Sequence, residues 1–111
     1  MKLSRSQMMC RPSDFEEIFS QGSRYSCSIM TIWIKPNPNV PTKIGFSVNR
    51  KIGNSVNRNL VRRRLRESLR KLMPDQGWTL FISAKPIIVK RTFNQILSDL
   101  KNILFSHGVS L

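Results

Sequence analysis

The chain has 111 residues, which is the size of one domain. Nineteen residues are Lys or Arg and six are Asp or Glu, so the formal net charge is +13. No apolar run approaches the roughly 18 residues that span a bilayer, and residues 1–12 lack the apolar run of a secretory signal. We therefore expect one soluble, cytoplasmic domain over residues 1–111, with an ordered core over about residues 13–105.

The excess of positive charge indicates the class of partner. An isoelectric point near 11.2 in a small domain indicates a polyanionic partner, and nucleic acid is the common one. An anionic membrane is the competing partner, but it requires a basic amphipathic helix with an exposed apolar face. The composition therefore favours a nucleic-acid partner and no membrane.

The chain carries few groups suited to catalysis. Its six acids are scattered along the sequence, whereas metal-dependent nucleases cluster carboxylates around their ions. His107 is interpreted as a helix-end or tail residue rather than a general base. Cys10 and Cys27 fit no metal spacing and are interpreted as ordinary thiols, with a structural disulfide as the alternative. We expect no catalytic residue and no tightly bound metal in this chain.

Capping residues and apolar periodicity predict the elements of the first half of the chain. A short helix with capping residues at 13–16 stops at Gly22. Residues 24–35 form extended structure. From position 29 one face carries Met30, Ile32 and Ile34, and the other carries Ile29, Thr31, Trp33 and Lys35. A proline-rich loop at 36–41 precedes a second alternating stretch at 43–49. The inner residues of that stretch are Ile44, Phe46 and Val48, and the outer ones are Lys43, Gly45, Ser47 and Asn49.

The second half of the chain predicts two helices around one strand. A long helix begins between Asn54 and Arg58 and ends before Pro74. Residues 78–84 are too apolar to have a polar face, which indicates a central strand. A capping box at 92–95 opens the last, amphipathic helix. The elements therefore predict one domain with the order helix, two or three strands, helix, strand, helix.

The long helix holds most of the positive charge. Residues 50–71 contain nine of the nineteen basic residues and one acid, a net charge of +8. At about 100° per residue, a buried stripe is formed by Val61, Leu65, Leu69 and Leu72. The adjoining basic sector contains Asn59, Arg62, Arg63, Arg66 and Arg70. Further round the helix lie Arg64, Glu67 and Lys71. Like charges four residues apart repel by a few tenths of a kcal/mol per pair, a cost that a bound polyanion would remove. The alternative is a solvated basic face.

The segment Lys51–Ser68 resembles the signature of the bacterial ribonuclease P protein component. The family carries Lys-x-Gly, then Arg-Asn-Arg, then further arginines on one helix, and the resemblance extends over residues 13–105. It includes the Phe-x-x-x-Phe helix ending in Gly, the Gly-Phe-Ser-Val strand and the strand ending in Lys-Pro. Leu60 stands where the family has the second Arg of Arg-Asn-Arg.

The resemblance implies a function and a division of labour. The family's protein binds a large catalytic RNA, and the complex removes the 5′ leader from precursor tRNA. The RNA holds the Mg²⁺ ions and performs the chemistry, and no obligatory protein partner is expected. Candidate contacts to the catalytic RNA are Lys51, Asn54, Arg58, Asn59, Arg62, Arg63, Arg66 and Arg70. The resemblance also implies the fold, a single-domain α+β sandwich with the order α-β-β-β-α-β-α and a four-stranded sheet. It implies a left-handed β-α-β crossover, although about 98% of such crossovers are right-handed.

The resemblance implies a second site, a cleft between the first helix and the sheet that binds the single-stranded leader. Its candidate residues are Phe15, Phe19, Thr31, Trp33 and Lys35. Aromatic rings beside basic and hydroxyl groups suit nucleotide stacking. The structural alternatives are a core pair at Phe15 and Phe19, and a strand face covered by the first helix at Trp33. The alternative function for the whole chain is a basic ribosomal protein, and a protein-only nuclease is disfavoured by the scattered acids.

Overall fold

The computed structural model describes residues 12–38, 42–72, 77–106 and 108, so Cys10 and His107 lie outside the described residues. The elements follow the predicted order. The helices are α1 (Pro12–Gln21), α2 (Ser55–Leu72) and α3 (Phe93–Ser106). The strands are β1 (Ser23–Ser26), β2 (Met30–Pro36), β3 (Lys43–Ser47) and β4 (Trp78–Ala84). Short 3-10 helices occupy Arg50–Ile52 and Pro86–Lys90.

The four strands form one mixed sheet in the order β1-β2-β4-β3. β2 pairs with β1 and β4 in antiparallel fashion, whereas β3 and β4 are parallel. The prediction that the apolar segment 78–84 is a central strand is therefore confirmed. α2 lies in the connection between the two parallel strands, and the left hand of this crossover stays a prediction.

One face of the sheet packs against α2 and α3. From the sheet this core takes Ile32, Ile34, Ile44, Leu80 and Ile82. From α2 and α3 it takes Val61, Leu65, Leu69, Ile96, Leu100 and Leu104. These residues recur with the periods of strands and helices that the sequence shows, so the predicted stripes are confirmed.

The opposite face of the sheet is covered by α1. Ile18 is fully buried and Phe81 is 6% exposed, and Phe15 and Trp33 pack against them. Phe81 faces away from its neighbours Leu80 and Ile82 because successive side chains of a strand point to opposite faces. The fold is therefore a three-layer sandwich with α1 on one side of the sheet and α2 and α3 on the other.

The placement of Ile29 on the outer face with Trp33 was wrong. Ile29 precedes β2 and lies in the turn after β1, where its side chain is fully buried in the main core. The alternation of a strand does not extend to a turn residue. Lys85 holds this turn, because its N–H donates to the carbonyl of Ile29 at 2.9 Å and its Nζ donates to Ser26 Oγ and to the Cys27 carbonyl, each at 2.6 Å. The thiol of Cys27 is free and half-buried.

The capping box of α3 is confirmed. The N–H of Thr92 donates to Gln95 Oε1 at 2.9 Å, and the N–H of Gln95 donates to Thr92 Oγ1 at 3.2 Å. Two N–H groups that lack helical partners are satisfied in this way. The start of α3, and with it the register of its apolar stripe, is thereby fixed.

Truncating the apolar stripe of α2 tests this packing. Leu65→Ala should lower the free energy of unfolding by about 2–5 kcal/mol, because the buried side chain leaves a cavity in a close-packed core. Val56→Ala is the matched control on the same helix, since Val56 is 71% exposed. Urea unfolding followed by circular dichroism measures both changes. Equal losses would contradict the assignment of the buried face.

Candidate nucleic-acid interface

Two asparagine side chains in the segment before α2 accept backbone N–H groups and fix where the helix begins. Asn49 Oδ1 accepts the N–H of Lys51 at 3.0 Å, and Asn54 Oδ1 accepts the N–H of Asn57 at 3.0 Å. Between them Gly53 has φ +139°, and a Cβ there would lie 3.0 Å from Asn57 Nδ2. Asn54, a candidate RNA contact, is therefore also the cap of α2. Lys51 stays exposed beside it.

α2 presents its arginines to solvent on the side that does not pack. Four predicted contacts have exposed side chains: Asn59, Arg63, Arg66 and Arg70. Arg58 and Arg62 are half-buried. Arg70 forms an ion pair with Glu67 one turn earlier on the helix. We call the eight predicted catalytic-RNA contacts, from Lys51 to Arg70, the arginine face.

Arg62 links the arginine face to the sheet. Its guanidinium donates to Asn59 Oδ1 at 3.0 Å and to the carbonyl of Val48, the residue after β3, at 3.3 Å. Arg58 lies one turn earlier, and its Nε is shielded from solvent without an acceptor in the described part of the chain. The arginine face is thus continuous with the end of β3.

The basic residues in the neighbouring sector of α2 contact the start of α3. Arg64 donates to the carbonyl of Arg91, before α3, at 2.8 Å. Lys71 Nζ lies 5.5 Å from the ring centroid of Phe93, the first residue of α3. These two basic residues hold α3 against α2, which separates them from the arginine face as the helical periodicity predicted.

The second candidate site is a cluster of four aromatic rings between α1 and the sheet. The ring of Phe19 lies 5.1 Å from Trp33 and 5.0 Å from Phe81, and Phe15 lies 5.6 Å from Phe81. All are edge-to-face pairs, which aromatic quadrupoles favour. Phe19 is still 49% exposed. The cluster therefore packs α1 against the sheet and leaves the ring of Phe19 half open to solvent.

Sequence reasoning missed one ring of this cluster, Phe81, and one basic neighbour, Arg24. Phe81 is the Cα partner of Trp33 in the β2–β4 ladder, and Arg24 is its partner in the β1–β2 ladder. The guanidinium of Arg24 lies 5.8 Å from the ring centroid of Trp33, within cation–π range. Only strand register reveals these neighbours, and the sequence carries no local signal for it.

The two remaining predicted cleft residues already have partners. Lys35 forms an ion pair with Glu17 of α1. Thr31 is 6% exposed, and its hydroxyl lies 3.2 Å from Ser26 Oγ. The structure thus brings Phe15, Phe19, Trp33 and Lys35 together, and it places Thr31 beneath the surface at one end of the group.

One open cavity lies apart from these surfaces. An open cavity of about 390 Å³ against α3 contains none of the predicted contacts; it is lined by Ser28, Arg91, Asn94, Gln95, Ser98 and Asp99.

Within the described residues no three His, Cys, Asp or Glu side chains are grouped to hold a metal ion. No helix in the same part of the chain is long and apolar enough to cross a membrane.

Comparison with known proteins agrees with an RNA-binding protein of this architecture. A family profile described as Ribonuclease P matches residues 3–107. The ribonuclease P protein component of a Picosynechococcus species is 35% identical over 99 residues, covering 86% of this chain and 85% of that protein. The protein component of Clostridioides difficile is 27% identical over 116 residues, covering both chains completely.

Solved structures support the same fold. The RNase P protein of Staphylococcus aureus superposes with a TM-score of 0.84 at 22% identity, covering 95% of this chain and 98% of that one. The RNase P protein of Thermotoga maritima gives a TM-score of 0.74 at 22% identity, covering 94% and 93%.

The basic helix packed on the sheet, together with these matches, defines an RNA-binding subunit of a ribonucleoprotein. The chain belongs to the ribonuclease P protein family. It is the protein component of an RNA-based endonuclease that processes the 5′ ends of tRNA. The alternative of a structural ribosomal protein is set aside.

Substitution of two arginines of α2 tests whether the arginine face is distinct from the neighbouring sector that contains Arg64 and Lys71. Arg66→Ala should weaken binding of the catalytic RNA and lower the log–log salt slope by about 0.7–0.9, the contribution of one neutralised phosphate. Arg64→Ala should leave that slope unchanged and lower stability, because it loses the bond to the Arg91 carbonyl. Filter binding across salt concentrations and urea unfolding measure the two effects. Similar salt slopes for both variants would contradict the division.

Proposed function

We propose that the arginine face binds the catalytic RNA and that the aromatic cluster binds the 5′ leader of precursor tRNA. The observation that carries this proposal is the separation of the two surfaces. The arginines lie on the solvent side of α2, whereas the rings lie between α1 and the opposite face of the sheet. Arg62 bonds to the carbonyl of Val48 after β3, and β3 pairs with β4, which carries Phe81 of the aromatic cluster. One protein can thereby hold both RNAs of the complex at once.

The arginine face suits a folded RNA because its contacts are to phosphate. Guanidinium groups bind phosphate oxygens through two parallel hydrogen bonds. Arg63 and Arg66 have no partner within the described residues and are exposed, so binding breaks no internal contact. Arg62 is fixed by Asn59 and Val48 and presents a preorganised donor. This mixture favours tight electrostatic binding with little sequence preference.

The aromatic cluster suits the unpaired leader because its contacts are to bases. Phe19 is 49% exposed, and Trp33 beside it packs against Phe81 and Arg24. Base–aromatic stacking contributes roughly 1–3 kcal/mol per base and tolerates all four bases. Mature tRNA has no leader and cannot use this site. The cluster therefore distinguishes substrate from product.

We assign the Mg²⁺ ions of the reaction to the RNA subunit. Mg²⁺ takes oxygen ligands in near-octahedral geometry, commonly carboxylates together with substrate phosphates. The described carboxylates of this chain are dispersed, and two of them pair with Lys35 and Arg70. The donor set does not fit a resident Mg²⁺ site, so no step of the reaction is assigned to these side chains. We place the complex in the cytoplasm, without a membrane or an obligatory protein partner.

Cleavage by the separate subunits tests this division of labour. Purified protein with Mg²⁺ should leave precursor tRNA intact, and addition of the catalytic RNA should produce the mature 5′ end. Gel analysis of end-labelled precursor measures both reactions. Cleavage at the mature 5′ end by RNA-free protein would overturn the assignment.

Truncation of the aromatic rings tests leader binding. Phe19→Ala and Trp33→Ala should each weaken holoenzyme binding to precursor tRNA by roughly 1–3 kcal/mol and change binding of mature tRNA little. Phe19→Tyr is the control that keeps the ring. Fluorescence titration measures the affinities, after circular dichroism has shown that each variant is folded. Equal losses for precursor and mature tRNA would mean that the rings are structural only.

Breaking the ion pair between α1 and β2 should raise the affinity for precursor tRNA rather than lower it. Glu17→Gln should strengthen binding of precursor tRNA, because it removes a negative charge and releases Lys35 for a leader phosphate. Exposed ion pairs contribute only about 0–1 kcal/mol to stability, so the fold should tolerate the change. Glu16→Gln is the matched control, since Glu16 is exposed and has no ion-pair partner among the described residues. Unchanged or weaker precursor affinity in Glu17→Gln would exclude Lys35 as a leader contact.

A further inference from the structure

A row of four hydroxyl-bearing side chains crosses the sheet on the face that α1 covers. Strand register places Ser26 opposite Thr31, Thr31 opposite Ser83, and Ser83 opposite Ser47. The row lies two residues along each strand from the row that contains Trp33 and Phe81. It therefore shares the face of the aromatic cluster.

The two halves of this row differ in hydrogen bonding. Ser26 and Thr31 are bonded to each other, and Ser26 also accepts from Lys85 Nζ. Ser47 and Ser83 are half-buried, and neither hydroxyl has a hydrogen-bond partner in the described part of the chain. They lie on adjacent strands about 4.8 Å apart, so one small polar group can contact both. α1 makes its main contacts with β2 and β4, and β3 is the far edge of the sheet.

We propose that Ser47 and Ser83 bind the ribose 2′-hydroxyl of a leader nucleotide and so select RNA over DNA at this point. The proposal rests on the proposed binding of the leader to the aromatic cluster. A 2′-hydroxyl both donates and accepts a hydrogen bond, as a serine hydroxyl does. Of two serines side by side, one can accept a hydrogen bond from the 2′-hydroxyl and the other can donate one to it.

The position of the pair supports a leader contact. Val48 follows Ser47 directly, and its carbonyl accepts from Arg62 of the arginine face. Ser83 lies two residues from Phe81 of the aromatic cluster. The serine pair thus occupies the path between the surface for catalytic RNA and the surface for unpaired bases. A strand that runs from one to the other crosses it with its sugar–phosphate backbone.

The test uses the holoenzyme and precursor tRNAs in which single leader nucleotides carry 2′-deoxyribose. For the wild-type protein one leader position should show a loss of affinity of about 2- to 10-fold, the effect of one or two hydrogen bonds. The double variant Ser47→Ala/Ser83→Ala should bind the all-ribose leader more weakly by a similar factor. It should lose no further affinity when that position is deoxyribose. Ser47→Thr, which keeps a hydroxyl, and Ser98→Ala on α3 should behave as wild type.

The outcomes separate this proposal from the one on which it rests. A double variant that keeps the wild-type discrimination overturns the serine assignment while leader binding stands. An equal loss for ribose and deoxyribose leaders overturns it as well, since that pattern indicates a phosphate contact. If the wild-type holoenzyme binds precursor tRNA no more tightly than leaderless tRNA, leader binding itself fails and the serine proposal falls with it.

Discussion

The structure depends on β4, which is packed on both of its faces. Leu80 and Ile82 face the core formed with α2 and α3, whereas Phe81 faces α1 and contacts the rings of Phe15, Phe19 and Trp33. β4 also pairs along its length with β2 and β3. The same strand therefore supports the helix that carries the arginines and the helix that carries the exposed ring. Because both helices pack on one strand, the distance between the arginine face and the aromatic cluster is set by the thickness of the sandwich.

The packing of α2 against the sheet explains how this helix tolerates its high positive charge. An isolated helix with arginines at 62, 63, 64, 66 and 70 would be weakened by like-charge repulsion. Burial of Val61, Leu65 and Leu69 contributes far more than that repulsion costs. The fold then assigns different roles to neighbouring arginines: Arg64 bonds to a carbonyl next to α3, Arg62 bonds to a carbonyl next to β3, and Arg66 is left to solvent. A uniform charge run in the sequence thus becomes one arginine that bonds beside α3, one that joins the arginine face to the end of β3, and one that is open to solvent.

Most of the fold could be predicted from the sequence because its signals are local. Period-two and period-3.6 patterns located the strands and helices, and the capping box at Thr92 located the start of α3. The candidate sites were predicted less completely. Arg24, Phe81 and the serine pair owe their positions to strand register, which joins residues far apart in the chain. Ile29 was misassigned for a related reason, because a turn ends the alternation that a strand would continue. The family resemblance supplied the arginine face and the aromatic positions that spacing alone left open.

The parallel pairing of β3 with β4 has a consequence for how the chain folds. The two strands are separated by residues 48–77, and α2 lies wholly within that loop. Closing a long loop costs conformational entropy before the pairing can repay it, and such non-local contacts form slowly. α2 obtains its apolar platform only when β4 has joined the sheet, so its self-repelling arginines oppose compaction until then. A polyanion that binds the arginines in their folded arrangement would relieve that repulsion and so stabilise the fold by mass action.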